Sequence, residues 1–406
     1  MPSRLLPGHG ILKSSIKGEV EKRWGLWRRG GAFDVCPEGD PMPLDAQPLA
    51  GPDISHQTVA SPGAGARRIL RDPRLVGLAL CLGLVLAAVR AGAQPYAYIP
   101  SLSGANYEPG EVSVIDTRTH TVVATIPVGP SPWSVAISPD GRRVYVGSVS
   151  AAGSGVSAID ARTNRVVQTG LVGYVPSAMV VSRDGTRLYV ADGPAIHEVN
   201  AQTLSVLRSV ATGQNVTRMV MSTEGSVLFV TMGEGLSVIL LRTLELGGRL
   251  QSIFNRSVAV LDPANGTLYA AADGYLRAIR LLDYRFRWAI QIPGLHAESV
   301  ALSPDGRRLY IGDGEKGQVV VVDLVARRLL KPLRTTAQIR GLSLTPDGSA
   351  LYVLLPVRDR VTVFDTATGK VLAKIPVANY PRAVGTFIGP AQIGGSPSLP
   401  AESRNR

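Results

Sequence analysis

Cysteine is close to absent: Cys36 and Cys81 are the only two in 406 residues, and both precede residue 94. The rest of the chain therefore has no disulfide, no thiolate nucleophile, no thiolate metal site and no Cys-x-x-Cys-His haem attachment. Histidine is nearly as scarce, with His120, His197 and His296 the only ones beyond residue 94. His120 and His197 fall in different repeats, which argues against a Ser-His-Asp triad, and a lone histidine beside scattered Asp192, Asp273 and Asp313 does not make a metal cluster. No metal, cofactor or catalytic residue is expected. There is no run of five basic residues, so the charge pattern does not point to nucleic acid. The longest apolar run, Leu75–Val89, falls short of the roughly 20 residues a membrane-spanning helix needs.

Glycine and proline are abundant, at 44 and 29 residues, which suits many short strands joined by tight turns. Residues 94–406 carry 31 basic and 23 acidic side chains, a formal charge of +8, with 27 of the basic residues being arginine. Such a surface fits solubility or attraction to an anionic partner.

Four arginines (Arg67, Arg68, Arg71, Arg74) precede the apolar run, and Ala91-Gly92-Ala93 follows it. This order reads as a signal peptide over residues 67–93, with export to the periplasm or medium. An uncleaved signal anchor is the alternative and the one expected route to a membrane. Residues 1–66 read as an unstructured leader, arising either from a mis-assigned start or from a cytoplasmic tail.

From residue 133 the chain repeats itself. Six segments share one shape, as in SVAISPDGRRVYV (134–146), AMVVSRDGTRLYV (178–190) and SVALSPDGRRLYI (299–311). The turn glycines Gly141, Gly185, Gly225, Gly266, Gly306 and Gly348 are spaced 44, 40, 41, 40 and 42 residues apart, the period of propeller blades. Each unit predicts an apolar strand A, a Pro-Asp-Gly turn, an apolar strand B, a loop, a strand C ending in Asp (Asp116, Asp160, Asp323, Asp365), a short turn and a strand D. Strands A to C are apolar throughout, as expected of sheets buried on both faces. The stretches 234–254 and 256–293 depart most from the pattern, the second at its strand D.

The ends give the blade count. Residues 96–128 supply strands B, C and D without an A, and residues 381–389 resemble an A strand alone. Joined, they complete a seventh blade and protect two exposed edges. The expected fold is all-β: a seven-bladed β-propeller over residues 94–390, closed by a C-terminal A strand in the N-terminal blade. Residues 391–406 read as a disordered tail.

SPDGRRVYVGS, GEVSVIDTRTHTVVATIPVG and DRVTVFDTATGKVLAKIPVA carry a further signal. The unit resembles the YVTN β-propeller repeat, in which an apolar strand leads through SPDG and YVTN to VSVID and a Thr-rich turn. The resemblance covers residues 94–390. It implies an exported or surface-associated protein and leaves the role open, since relatives include cofactor-binding and electron-transfer propellers.

The D-to-A and B-to-C loops of such a propeller share one face. Aligned strand starts place Trp133, Ser177, Thr217, Arg256, Glu298, Arg340 and Arg382 around it, with His296 and Tyr380 just upstream. Arg256, Arg340 and Arg382 could grip an anion bidentately while Trp133 or Tyr380 stacks on it. The expected ligand site is Trp133, Arg256, His296, Glu298, Arg340, Tyr380 and Arg382. The expected function is a monomeric, exported, non-catalytic binding or scaffold propeller for an unknown protein or an anionic small molecule or polymer. A propeller subunit of an extracytoplasmic redox enzyme, or a lactonase-like hydrolase, is the alternative.

Overall fold

The computed structural model describes residues 95–102, 109–149, 154–233, 235–251 and 258–389. The leader, the signal segment, the C-terminal tail and Arg256 lie outside the described residues.

Seven antiparallel sheets follow one another along the chain, which makes the molecule an all-β, seven-bladed propeller. Blade 1 opens with Tyr96–Ser101, Pro109–Asp116 and Thr121–Pro130. Its inner strand comes from the other end of the chain. The Tyr98 N–H donates to the Phe387 carbonyl (2.8 Å), the Arg382 N–H donates to the Pro100 carbonyl (3.0 Å), and Ala97 and Ile388 form an antiparallel bridge. The same segment also grips blade 2. Val384 and Ser134 form a parallel bridge, with Val135 N–H to Val384 O at 2.9 Å and Val384 N–H to Trp133 O at 2.8 Å. Gly385 allows this double approach: its φ is +111°, and a Cβ there would lie 2.1 Å from the Val135 carbonyl oxygen.

The turn residues act as their chemistry requires. The six repeat glycines all hold positive φ, between 58° and 72°. Asp140 accepts the Arg142 N–H, and Ser138 Oγ both donates to Asp140 and accepts the Arg143 N–H, an arrangement repeated around Asp184 and Asp305. The C-strand aspartates cap the next turn: Asp116, Asp160, Asp323 and Asp365 each accept backbone N–H groups two or three residues on.

The irregular strand D is not where the sequence suggests. Residues 286–291 and 245–251 form continuous strands. The break falls in blade 6, where strand D is two short pieces, Arg328–Leu329 and Leu333–Arg334, on either side of Pro332. Proline has no N–H for the ladder.

Between blades, the B-strand tyrosines latch onto the next C–D turn. The Tyr145 hydroxyl donates to the Ala201 carbonyl (2.9 Å), and Tyr352 bonds His120 Nδ1 (2.7 Å) across the junction of blades 7 and 1. Burial holds the His120 proton affinity below its ordinary value of 6.5, against a smaller opposing pull from Asp116. An unfolded chain therefore binds more protons than the folded one in the window just below pH 6.5, and stability rises with pH across that window. Urea unfolding should show lower stability at pH 5 than at pH 7, and His120→Gln should flatten that slope. Tyr352→Phe should cost about 1 kcal/mol at pH 7; unchanged midpoints in both variants would mean that this latch contributes nothing.

Candidate functional site: the channel mouth

The seven inner strands surround a central channel, and how their first residues sit decides what faces it. Pairing of strand A with strand B shifts by one residue at Trp133, Ser177, Thr217 and Glu298. An extra, unpaired residue of this kind re-aims its side chain. The Arg340 N–H donates to Leu354 O, which also lies opposite Gly341, so Arg340 holds the same position in blade 7.

These positions converge. Arg340 Nη1 forms an ion pair with Glu298 Oε1. The Arg382 guanidinium stacks over the Trp133 ring, 4.6 Å from its centroid. The Trp133 indole N–H in turn donates to the Pro176 carbonyl at 3.0 Å, fixing the ring. Arg382 is held below its usual range first by burial and then by Arg340, with Glu298 and Tyr380 opposing. Gly314 leaves room for the glutamate, since a Cβ there would meet Glu298 Cγ at 2.4 Å.

Arg218, which alignment of the strand starts passes over, completes the cluster from blade 4. Its Nη1 donates to the Thr217 carbonyl and its Nη2 reaches across the channel to the Glu298 carbonyl, both at 2.8 Å. Burial pushes its guanidinium down to about 10, Glu298 counters this in part, and Arg382 adds to it. It stays charged at neutral pH. Among the described residues no carboxylate lies within ion-pair distance of it. The channel it lines has a volume of about 450 Å³, and its wall also includes Glu298, Ala383 and Val384.

Trp133, Glu298, Arg340 and Arg382 thus meet at one site. Tyr380 lies at the edge, close enough to act on Arg382, with its N–H on Asp359 Oδ1 at 2.8 Å. His296 is apart, on the exposed rim, with Nε2 at 3.3 Å from Glu315 Oε2.

One sequence expectation is corrected. A serine, a histidine and an aspartate do meet in blade 3: Ser209 Oγ lies 2.8 Å from His197 Nδ1, and Asp192 Oδ2 lies 3.5 Å from Nε2. Both partners come from the same sheet as His197, which a search for a histidine on another blade overlooks. The other Asp192 oxygen accepts the Tyr174 and Val175 N–H groups, so this trio ties down the D–A loop. It lines neither this channel nor the groove at the turns of blades 6 and 7. Asp313 Oδ1 is committed similarly, to the Glu315 and Lys316 N–H groups.

A larger groove, about 590 Å³, lies among the A–B and C–D turns of blades 6 and 7. Its aspartates, Asp305, Asp323 and Asp347, are all engaged within their own turns. Volume alone does not make it the better site.

No family model matches the chain, and no curated protein matches it. Among solved structures it is similar to a chain of hydrazine synthase from Kuenenia stuttgartiensis, with a TM-score of 0.58 and 19% identity over 64% of this chain and 90% of that one. That likeness shows the propeller fold. Function has to come from the site itself.

Proposed function

We propose that the protein is an exported propeller that binds an anionic ligand at the arginine layer of its channel, as a binding module and not as a catalyst. The observation that carries this reading is Arg218, a shielded guanidinium whose described hydrogen-bond partners are two backbone carbonyls. Three arginines and one carboxylate gather there, and only Arg340 is ion-paired with Glu298, leaving a formal surplus of two positive charges in a confined space. Charges so placed are costly unless paired, and a carboxylate, phosphate or sulfate group would pair them with charge-assisted hydrogen bonds. Export rests on the order of arginines, apolar run and small residues at 67–93 and on the resemblance to the YVTN repeat.

The test is unfolding of the purified protein with sulfate, phosphate or acetate at matched ionic strength. A ligand at 100 times its dissociation constant raises stability by about 2.7 kcal/mol. Sulfate strengthens burial in any protein, so the signal is the difference between wild type and the Arg340→Ala, Arg382→Ala double variant. Equal stabilisation of both proteins by every anion sinks the proposal.

A further inference from the structure

Beyond the arginine layer the channel changes character. The wall passes from Arg218 and Glu298 to Val220, Met221, Val260, Val300, Leu302 and Leu344, and reaches Thr345 and Pro346 at the turns of the opposite end. All six apolar residues are only half-buried. Every residue of the inner strand Ala297–Leu302 is half-buried, whereas the equivalent strands Pro132–Ile137, Pro176–Val181 and Gly341–Leu344 are largely covered. The channel therefore has a cationic head and a continuous apolar body along a single axis.

Resting on the reading above, we infer that the ligand is amphipathic: a monoanionic headgroup, such as a carboxylate, held by Arg218 and Arg340, with an unbranched apolar tail running down the channel. A small inorganic anion satisfies the guanidinium groups and leaves the valine and leucine wall in water. A neutral lipid covers the wall and leaves the Arg218 charge without an anionic partner. Only a molecule with both parts matches both halves. At about 30 Å³ per water-sized group, 450 Å³ accommodates about fifteen such groups, which sets the tail at about ten to twelve carbons.

The measurement is calorimetric titration of the purified full chain with straight-chain carboxylates from acetate to dodecanoate, below their micelle concentrations, beside sodium sulfate and decanol. Affinity should climb about fourfold for each added methylene and level off near ten to twelve carbons. Decanol should bind at least tenfold more weakly than decanoate. Val260→Phe takes volume from the channel and should halt the climb two to three carbons earlier. Sulfate and acetate binding with no dependence on tail length would overturn the amphipathic ligand and leave the anion reading standing. Failure of every anion to bind would overturn both. A climb that ends at the same length in Val260→Phe would put the tail elsewhere, and carboxylate affinities that are unchanged in Arg218→Met would put the headgroup elsewhere; either result overturns the inference.

Discussion

Arg218→Met should weaken anion binding by about 10- to 150-fold while leaving stability unchanged or higher. Hydrogen bonds to a charged group are worth about 1.5–3 kcal/mol each, so losing one to a ligand headgroup lowers affinity by about 10- to 150-fold. Methionine fills similar space and suits the apolar wall below. The two carbonyls that Arg218 now serves, at Thr217 and Glu298, face a channel that water can enter. Removing the charge also relieves repulsion with Arg382, a contributor to its depressed proton affinity. Replacing buried ionic groups by apolar ones is often neutral or stabilising by about 1–4 kcal/mol. Arg340→Met should behave differently, because it strands Glu298 without its ion-pair partner and so destabilises as well. Paired urea titrations and anion titrations separate the two. A variant at Arg218 that loses several kcal/mol of stability yet keeps full anion affinity would show that the residue is a structural strut.

Phe387→Ala should be the most damaging single change in the closing strand. Phe387 is fully buried and belongs to the cluster that joins Tyr98 and Ile99 of blade 1 to Tyr352 and Leu354 of blade 7. Truncating a buried phenylalanine costs about 3–5 kcal/mol, in part through the cavity left behind. The effect should be large because few contacts attach the strand: backbone hydrogen bonds with Tyr98, Pro100, Trp133 and Val135, the stack of Arg382 on Trp133, and the packing of Phe387 and Ile388. Chemical denaturation should show the midpoint falling sharply. Hydrogen exchange should show protection lost first at the Tyr98, Val135 and Val384 amides. A drop under 1 kcal/mol would mean that the ring closes by other contacts.

Several features of the fold are legible because they are local. A Ser-x-Asp-Gly turn is a four-residue event, in which the carboxylate bonds an N–H two residues away and only glycine takes the positive φ without strain. The C-strand aspartates are legible for the same reason. The blade count follows from a strand missing at one end and a spare strand at the other. The site was legible where it depends on register, since counting to the first residue of each inner strand finds Trp133, Glu298, Arg340 and Arg382. It missed Arg218, although a signal was present. The equivalent residues in other blades are small, Ser134, Ala178, Ser299, Gly341 and Ala383, and an arginine among them is out of keeping with the pattern. His296 was drawn in by its proximity in sequence, but its loop directs it to Glu315 on the rim.

The sequence by itself determined the repeat, the turns, the strand order and the meeting of the chain ends, since each rests on short-range chemistry or on hydrophobic patterning. Tertiary structure alone decided that Val384 bridges two blades and that residues 80 apart, Arg218 and Glu298, meet across the axis, the guanidinium of one on the backbone carbonyl of the other. Those outcomes depend on how the sheets are spaced around the ring and on which unpaired residue each inner strand turns toward the centre, and no local pattern encodes that spacing.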